Sequence, residues 1–420
     1  MVNSMDCKKE FESIIERAIA DGAFPGATYA IVSKNKVTLG SLGYKELYEE
    51  KIENTVDTIY DMASLTKVIC TTTCIMQLVE KGLIRIYDSV NMYLPLFKFK
   101  DITIWNLLTH TSGLPEGIYG RKDILTAEDI WNKIYNEAEL MYIPGKKISY
   151  SDINYILLGK IVEVVTKMKL NEYAKENVFI PLEMKDTGYL PQDKIRCAAT
   201  EYRDDESYHG YVKGYVHDET AFSLGGVAGH AGLFSTSPDM VHFVQMILND
   251  GIYNGKQILS KTTVNKLFEV QVKEYDGVEV YPKARCLGWQ TLDPYSAAGE
   301  LVSRNTILHT GFTGTNVFID KDNGIGFVFL TNRVHPTRNN AKHLHYRACL
   351  ANYIMTHIQH HTYLYMEQIL LTQYCMLLEH QNHVHYKLPK CHLLILLFAY
   401  YLDDMLQKCF FHYLNVFRKD

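Results

Sequence analysis

The sequence predicts an α+β fold in which both ends of the chain build one layer of sheet and helix, with a mainly helical domain inserted between them. Three patterns predict it. An amphipathic helix and a strand pair open the chain, helical periodicity dominates the middle, and β-rich runs separated by glycine turns return late. At 420 residues the chain can bury a large core and hold about two or three domains. The patterns assign residues 1–62 and 216–358 to a discontinuous sheet-containing domain and 63–215 to the helical one, with a cleft between them as the expected ligand site. Residues 359–420 are set apart as an atypical tail outside the catalytic core.

Phe11, Ile14, Ile15, Ala18 and Ile19 form a single apolar stripe over Lys8–Ala20, the mark of an amphipathic helix. Ala27–Tyr44 reads as two strands around the polar turn Ser33-Lys34-Asn35-Lys36. From Ser64 to about Tyr215 the pattern is mainly helical, interrupted at Gly113-Leu114-Pro115 and Pro144-Gly145. Ile307–His309, Asn316–Ile319 and Gly326–Leu330 read as strands, and Asn339–Met355 as a closing helix.

The tail differs in composition. No glycine follows Gly326, and ten of the seventeen histidines and four of the nine cysteines lie beyond Thr337. Leu393–Leu402 is strongly apolar, yet far short of the roughly 20 residues that a membrane-spanning helix needs. Cys391-His392 and Cys409-Phe410-Phe411-His412 lack a second pair at zinc-binding spacing, so no metal is expected there. A frameshifted or poorly ordered extension explains this bias better than a domain.

The bulk numbers narrow the function classes. Apolar content of 47% and charged content of 22% describe an ordinary globular protein. A net charge of −5 offers no argument for nucleic acid or an anionic membrane as partner. Nine cysteines without regular spacing do not form a disulfide framework, and Cys70 and Cys74 read as buried small apolar groups. The first ten residues contain no apolar signal region, so a cytoplasmic location is expected.

Ser64 and Lys67 carry the chemistry. A serine and a lysine three positions apart at the start of a helix share one face, and a neighbouring amine can relieve the hydroxyl of its proton. Ser33 and Lys36 show the same spacing, but a strand end splays those side chains. After Ser64, by contrast, Val68, Ile75, Leu78 and Val79 recur at helical spacing and Gly82 supplies a stop. Ser64 is therefore expected at a helix N-terminus, where free N–H groups favour developing negative charge.

Tyr150, in Tyr150-Ser151-Asp152 before a helical run, is the candidate proton carrier, its phenol lowered from about 10 by a nearby ammonium. His309-Thr310-Gly311-Phe312 ends a late strand, where backbone N–H groups can supply half of an oxyanion hole. His217, Asp218 and His230 form a conceivable metal set, for which structural histidines are the simpler reading. His110 is read as a structural hydrogen-bonding residue, and Arg333 and His335 are candidates for the cleft rim because they follow a strand end.

In this order the motifs resemble the serine β-lactamase-like hydrolases, related to class C β-lactamases and penicillin-binding D-alanyl-D-alanine carboxypeptidases. The resemblance runs from about Phe11 to Ile358 and includes Ser64–Lys67, Leu107–Pro115, Pro144–Asp152, Leu157–Gly159, Pro181–Met184, Gly229–Thr236 and His309–Gly311. It implies an antiparallel sheet flanked by terminal helices, an all-helical domain and chemistry without metal or other cofactor. It also implies an acyl-enzyme on Ser64, proton handling by Lys67 and Tyr150, and an oxyanion hole from the N–H groups of Ser64 and Phe312. Asp152, His309, Thr310, Gly311 and Phe312 are the implied substrate-binding residues.

Two positions depart from class C β-lactamases, which have asparagine at Asp152 and lysine at His309. An aspartate beside Lys67 should hold the lysine charged and pass work to Tyr150. A histidine should grip a substrate carboxylate more weakly than lysine near neutral pH. The implied activity is a serine hydrolase acting on a D-amino-acid peptide, an ester or a β-lactam. The alternative is a non-catalytic penicillin-binding sensor or scaffold that retains the fold. The expected partner is a small-molecule or peptide substrate, and the oligomeric state is open.

Overall fold

The computed structural model describes residues 4–33, 36–48, 50–118, 126–205, 208–274, 283–291 and 296–357. The tail beyond residue 357, with its apolar run and its Cys-His pairs, lies outside the described residues. The framework is a nine-stranded sheet whose neighbouring strands all pair antiparallel, ordered 272–274, 283–285, 290–291, 306–310, 316–320, 325–331, 26–33, 36–46 and 52–53. Its centre closes the chain on itself: Gly26–Ser33 pairs with Ile325–Thr331, from Ala27 opposite Thr331 to Ser33 opposite Ile325.

Alternation along these strands assigns two buried faces. Tyr29, Ile31, Phe318, Phe327 and Phe329 pack against the terminal helices through Phe11, Ile15, Leu350 and Ile354. Phe11 meets Tyr29 edge-on at 4.9 Å between ring centres and Phe327 at 6.1 Å. The helices are Ser4–Ala20 and residues 343–357, close to the expected limits. Ala30, Val32, Val317, Ile319, Val328 and Leu330 face the other way, into a larger core with Met62, Leu65, Val68 and helix Ser237–Leu248.

The middle of the chain carries short helices and the 15-residue helix Asp152–Thr166. It also carries a hairpin, Ala199–Asp205 with Tyr208–Lys213, inside the stretch whose pattern reads as helical. The expected helix at Ser64 is built in three parts. Ala63–Leu65 forms a 3₁₀ turn, Lys67–Thr72 a π-helical turn, and Thr73–Glu80 an α-helix that stops at Gly82 with φ 67°. The decoy pair stays at a hairpin end, Ser33 opposite Lys36. The described cysteines are all free, five of the six buried. No helix among the described residues is long and apolar enough to cross a membrane.

One close approach joins helix Asp152–Thr166 to the segment at Gly229. Gly159, inside helix Asp152–Thr166, meets Gly229 so closely that a Cβ on Gly159 would lie 3.0 Å from the Gly229 Cα. A Cβ on Gly229 would lie 2.0 Å from the Tyr155 carbonyl oxygen. Gly229→Ala should therefore force helix and loop apart and destabilise the fold by about 2 kcal/mol or more. Urea unfolding measures this, and an unchanged midpoint would show that the contact is not tight.

Candidate active site

The turn that carries Ser64 is strained and tied down. Ala63, the preceding residue, has φ 45°, a left-handed conformation that costs a residue with a Cβ on the order of 1–2 kcal/mol. Buried Asp61 holds it there: Oδ1 accepts the Ala63 N–H at 2.8 Å and Oδ2 the His217 N–H at 2.6 Å. Strand Thr306–Thr310 ends against the same turn. A Cβ on Gly311 would sit 2.6 Å from the Met62 carbonyl oxygen and 3.3 Å from the Ala63 Cβ, so only glycine lets the strand end come this close. Thr313 Oγ1 donates to the Asp61 carbonyl at 2.7 Å and Thr315 Oγ1 to the Met62 carbonyl at 3.1 Å.

Lys67 lies wholly out of solvent beneath this turn. Its ammonium has three N–H donors. They meet Ser64 Oγ at 2.8 Å, the His230 carbonyl at 3.0 Å and, as an ion pair, Asp152 Oδ1 at 2.8 Å. Burial alone would lower the lysine's pKa, but the Asp152 carboxylate and the Tyr150 phenol outweigh it and hold the pKa above the ordinary lysine value. The expectation that Asp152 keeps Lys67 charged thus has a direct geometric cause. Asp152 itself opens helix Asp152–Thr166, where a carboxylate also suits the helix dipole.

Tyr150 stands against the same ammonium, with Lys67 Nζ 4.9 Å from its ring centre. His110 stacks on it at 4.5 Å, and the His110 Nδ1 accepts the Ser151 N–H at 3.1 Å. His110 thus places Tyr150 from behind, a structural role matching the sequence reading. The expected lowering of the Tyr150 phenol does not result. Burial raises its pKa, and the Lys67 ammonium offsets only part of that rise. Spacing shows the neighbouring charge but not the desolvation that outweighs it.

His309 is buried, with its pKa pushed down to about 3 by burial and then by the charges of Lys67 and Arg285. It is therefore neutral near pH 7 and supplies no positive charge for a carboxylate. Arg285 was not among the sequence candidates, because it belongs to no motif and reaches the site from a short strand, Lys283–Arg285. Its guanidinium carbon lies 5.8 Å from the Tyr150 ring centre. Thr310 and Gly311 lie along the strand end, and the Phe312 N–H finds no hydrogen-bond acceptor among the described residues.

Asp152, Asp218 and His230 bring ligand atoms within 4.8 Å of one another. They fit a cation poorly: His230 Nε2 is bound to Asp218 Oδ1 at 2.8 Å, and Asp152 faces the Lys67 ammonium. His217 is turned away to Glu201 at 3.0 Å. Arg333 reaches the site's edge, donating to the Phe312 carbonyl at 2.8 Å, whereas His335 is buried under the Ala199–Asp205 strand, paired with Thr200 and Leu47.

Residues 11–352 match the sequence model of the Beta-lactamase family. An N-acetylmuramyl-L-alanine amidase of Bacillus subtilis (strain 168) is 33% identical over 367 residues, covering 78% of this chain and 81% of that protein. A provisionally named D-alanyl-D-alanine carboxypeptidase of Salmonella typhi is 32% identical, covering 77% of this chain and 82% of its own. The solved β-lactamase/D-alanine carboxypeptidase of Pseudomonas syringae superposes with a TM-score of 0.66 over 84% of this chain and 99% of its own. At 18% identity that likeness speaks for the fold.

The buried neutral histidine makes a prediction about acid stability. A histidine with a folded pKa of about 3 against an ordinary 6.5 binds its proton more readily when unfolded. Stability is full above about pH 6.5 and falls as pH drops toward 3. Between pH 7 and 5 His309 should cost about 2 kcal/mol. His309→Asn should lose that much less over the interval in urea unfolding, and equal losses in both proteins would contradict a buried neutral His309.

Proposed function

This chain belongs to the Beta-lactamase family, and from that premise we propose that it is a serine hydrolase working through an acyl-enzyme on Ser64. The observation that carries the proposal is the 2.8 Å contact of the buried Lys67 ammonium with Ser64 Oγ, in a strained turn beneath the Gly311 strand end. A strained turn, a buried charge at hydrogen-bond distance and a Phe312 N–H without an acceptor among the described residues support it together, a combination that a merely structural serine does not need.

Lys67 remains an ammonium throughout and stabilises negative charge on its neighbours. Tyr150, as phenolate, takes the Ser64 proton while Oγ bonds to the acyl carbon. The N–H groups of Ser64 and Phe312 receive the oxyanion. Tyr150 then returns its proton to the departing nitrogen or oxygen as that bond breaks, leaving the acyl group on Ser64. A water molecule, deprotonated by Tyr150, repeats the sequence and releases the acid.

The relatives are named as an N-acetylmuramyl-L-alanine amidase and a D-alanyl-D-alanine carboxypeptidase. They support an amide of a wall peptide as substrate, ahead of a simple ester or a β-lactam. With His309 neutral, Arg285 is the group we assign to a substrate carboxylate.

Fluorescent penicillin or a fluorophosphonate should label the wild-type protein and leave Ser64→Ala unlabelled. Identical labelling of the two would remove Ser64 as nucleophile. A turnover number of about 1 s⁻¹ or more on an amide or ester would exclude the sensor alternative, whereas stable acylation without turnover would favour it.

The raised pKa values of Tyr150 and Lys67 also fix a pH dependence. The reactive phenolate is a small fraction near neutrality, so kcat/KM should rise about tenfold per pH unit from pH 7 to 9. In Asp152→Asn the largest opposing influence on the Lys67 pKa is gone, and burial should lower it. The lysine can then act as base, and the rise should shift to lower pH. A wild-type plateau below pH 8, or an unshifted profile in the variant, would assign the base elsewhere.

A further inference from the structure

We propose that the Phe312 side chain is the specificity-determining surface of this site and packs against an apolar group attached next to the scissile carbonyl. The inference rests on the acyl-enzyme reading, because it uses the Phe312 N–H as an oxyanion donor, but it assigns the ring a role of its own.

Phe312 is 50% exposed, although a large apolar ring normally gains by burial. Its backbone is fixed on both sides. The Gly311 N–H donates to the Thr315 carbonyl at 2.7 Å, and Arg333 Nε donates to the Phe312 carbonyl at 2.8 Å. The ring itself is braced from the protein side. Arg333 places its guanidinium carbon 4.4 Å from the ring centre, Arg338 lies at 5.8 Å, and His217 stacks at 5.8 Å with 25° between planes.

These braces are anchored in turn. Arg333 and His217 are buried, His217 and Arg338 share Glu201, and Arg338 also binds Glu219 at 2.7 Å. So the ring is held in one place while about half of it faces solvent, one residue from the strand end that abuts the Ser64 turn. A rigid, exposed aromatic surface gains most when a partner covers it without further ordering. An acyl carbon held at Ser64, with its oxygen at the Phe312 N–H, carries its first substituent beside this ring. An aryl or alkyl substituent fits that surface, and a bare methyl group does not fill it.

The test uses two esters with one leaving group, p-nitrophenyl phenylacetate and p-nitrophenyl acetate, so that only the acyl part differs. Wild-type protein should favour the phenylacetyl ester in kcat/KM by about tenfold or more. Phe312→Ala should bring the ratio close to one, and Phe312→Tyr should retain it. Matching melting temperatures exclude misfolding. An acylated, active enzyme whose ratio is near one in the wild type, or unchanged in Phe312→Ala, overturns the platform alone. A protein that no fluorophosphonate labels at Ser64 overturns both readings.

Discussion

The arrangement of this site follows from the need to bury a lysine ammonium. Moving an unpaired ammonium out of water costs several kcal/mol, and only good geometry with saturated donors offsets it. Lys67 meets that condition with acceptors from three separate segments: the Ser64 turn, the first residue of helix Asp152–Thr166 and the carbonyl of His230. Each segment must therefore arrive together with the others. The Gly159–Gly229 contact lets the His230 loop come near enough, and Asp61 keeps the Ser64 turn in its left-handed conformation at Ala63. One buried charge thus couples the helical part of the chain to the sheet that its two ends build.

That coupling also explains where sequence reading succeeds and where it stops. Gly26–Ser33 and Ile325–Thr331 are legible because strands buried on both faces read as near-continuous apolar runs. Ser64 and Lys67 are legible because the residues after them keep a helical period. The 3₁₀ and π turns around them are not, since local hydrogen-bond register responds to packing rather than to pattern. The hairpin Ala199–Lys213 also escapes. Its polar residues show no clean alternation, and its root is held by distant groups, His335, Asn332 and the Pro336 carbonyl.

The chemical signs are harder to read than the positions. Tyr150 beside an ammonium suggests a lowered phenol, yet burial reverses the direction. His309 in place of lysine suggests a weaker grip on a carboxylate, and burial with two nearby positive charges carries this further by leaving it neutral. Both differences have one origin: desolvation acts on a side chain through everything packed around it, and no short motif records that packing. Arg285 shows the converse. Its charge reaches Tyr150 and His309 from a strand that carries no motif, so only the folded chain reveals it.

In the mechanism proposed above, Asp152 decides which group can serve as base. An uncharged amide at that position would leave Lys67 with burial as the dominant influence, and a buried lysine sheds its proton readily. The carboxylate removes that option while adding a benefit. Under the proposed mechanism, an ammonium 2.8 Å from Ser64 Oγ would stabilise the serine oxygen as it loses its proton, and would favour a phenolate on Tyr150 as well. The rare phenolate is also the stronger base, so each encounter transfers a proton more readily even though fewer are poised to do so. A site built this way gives up a ready base at neutral pH for a fixed positive charge at the reacting oxygen. As proposed, such an exchange would suit a substrate whose leaving amine must be protonated, because the proton that Tyr150 takes from Ser64 would remain beside the departing nitrogen.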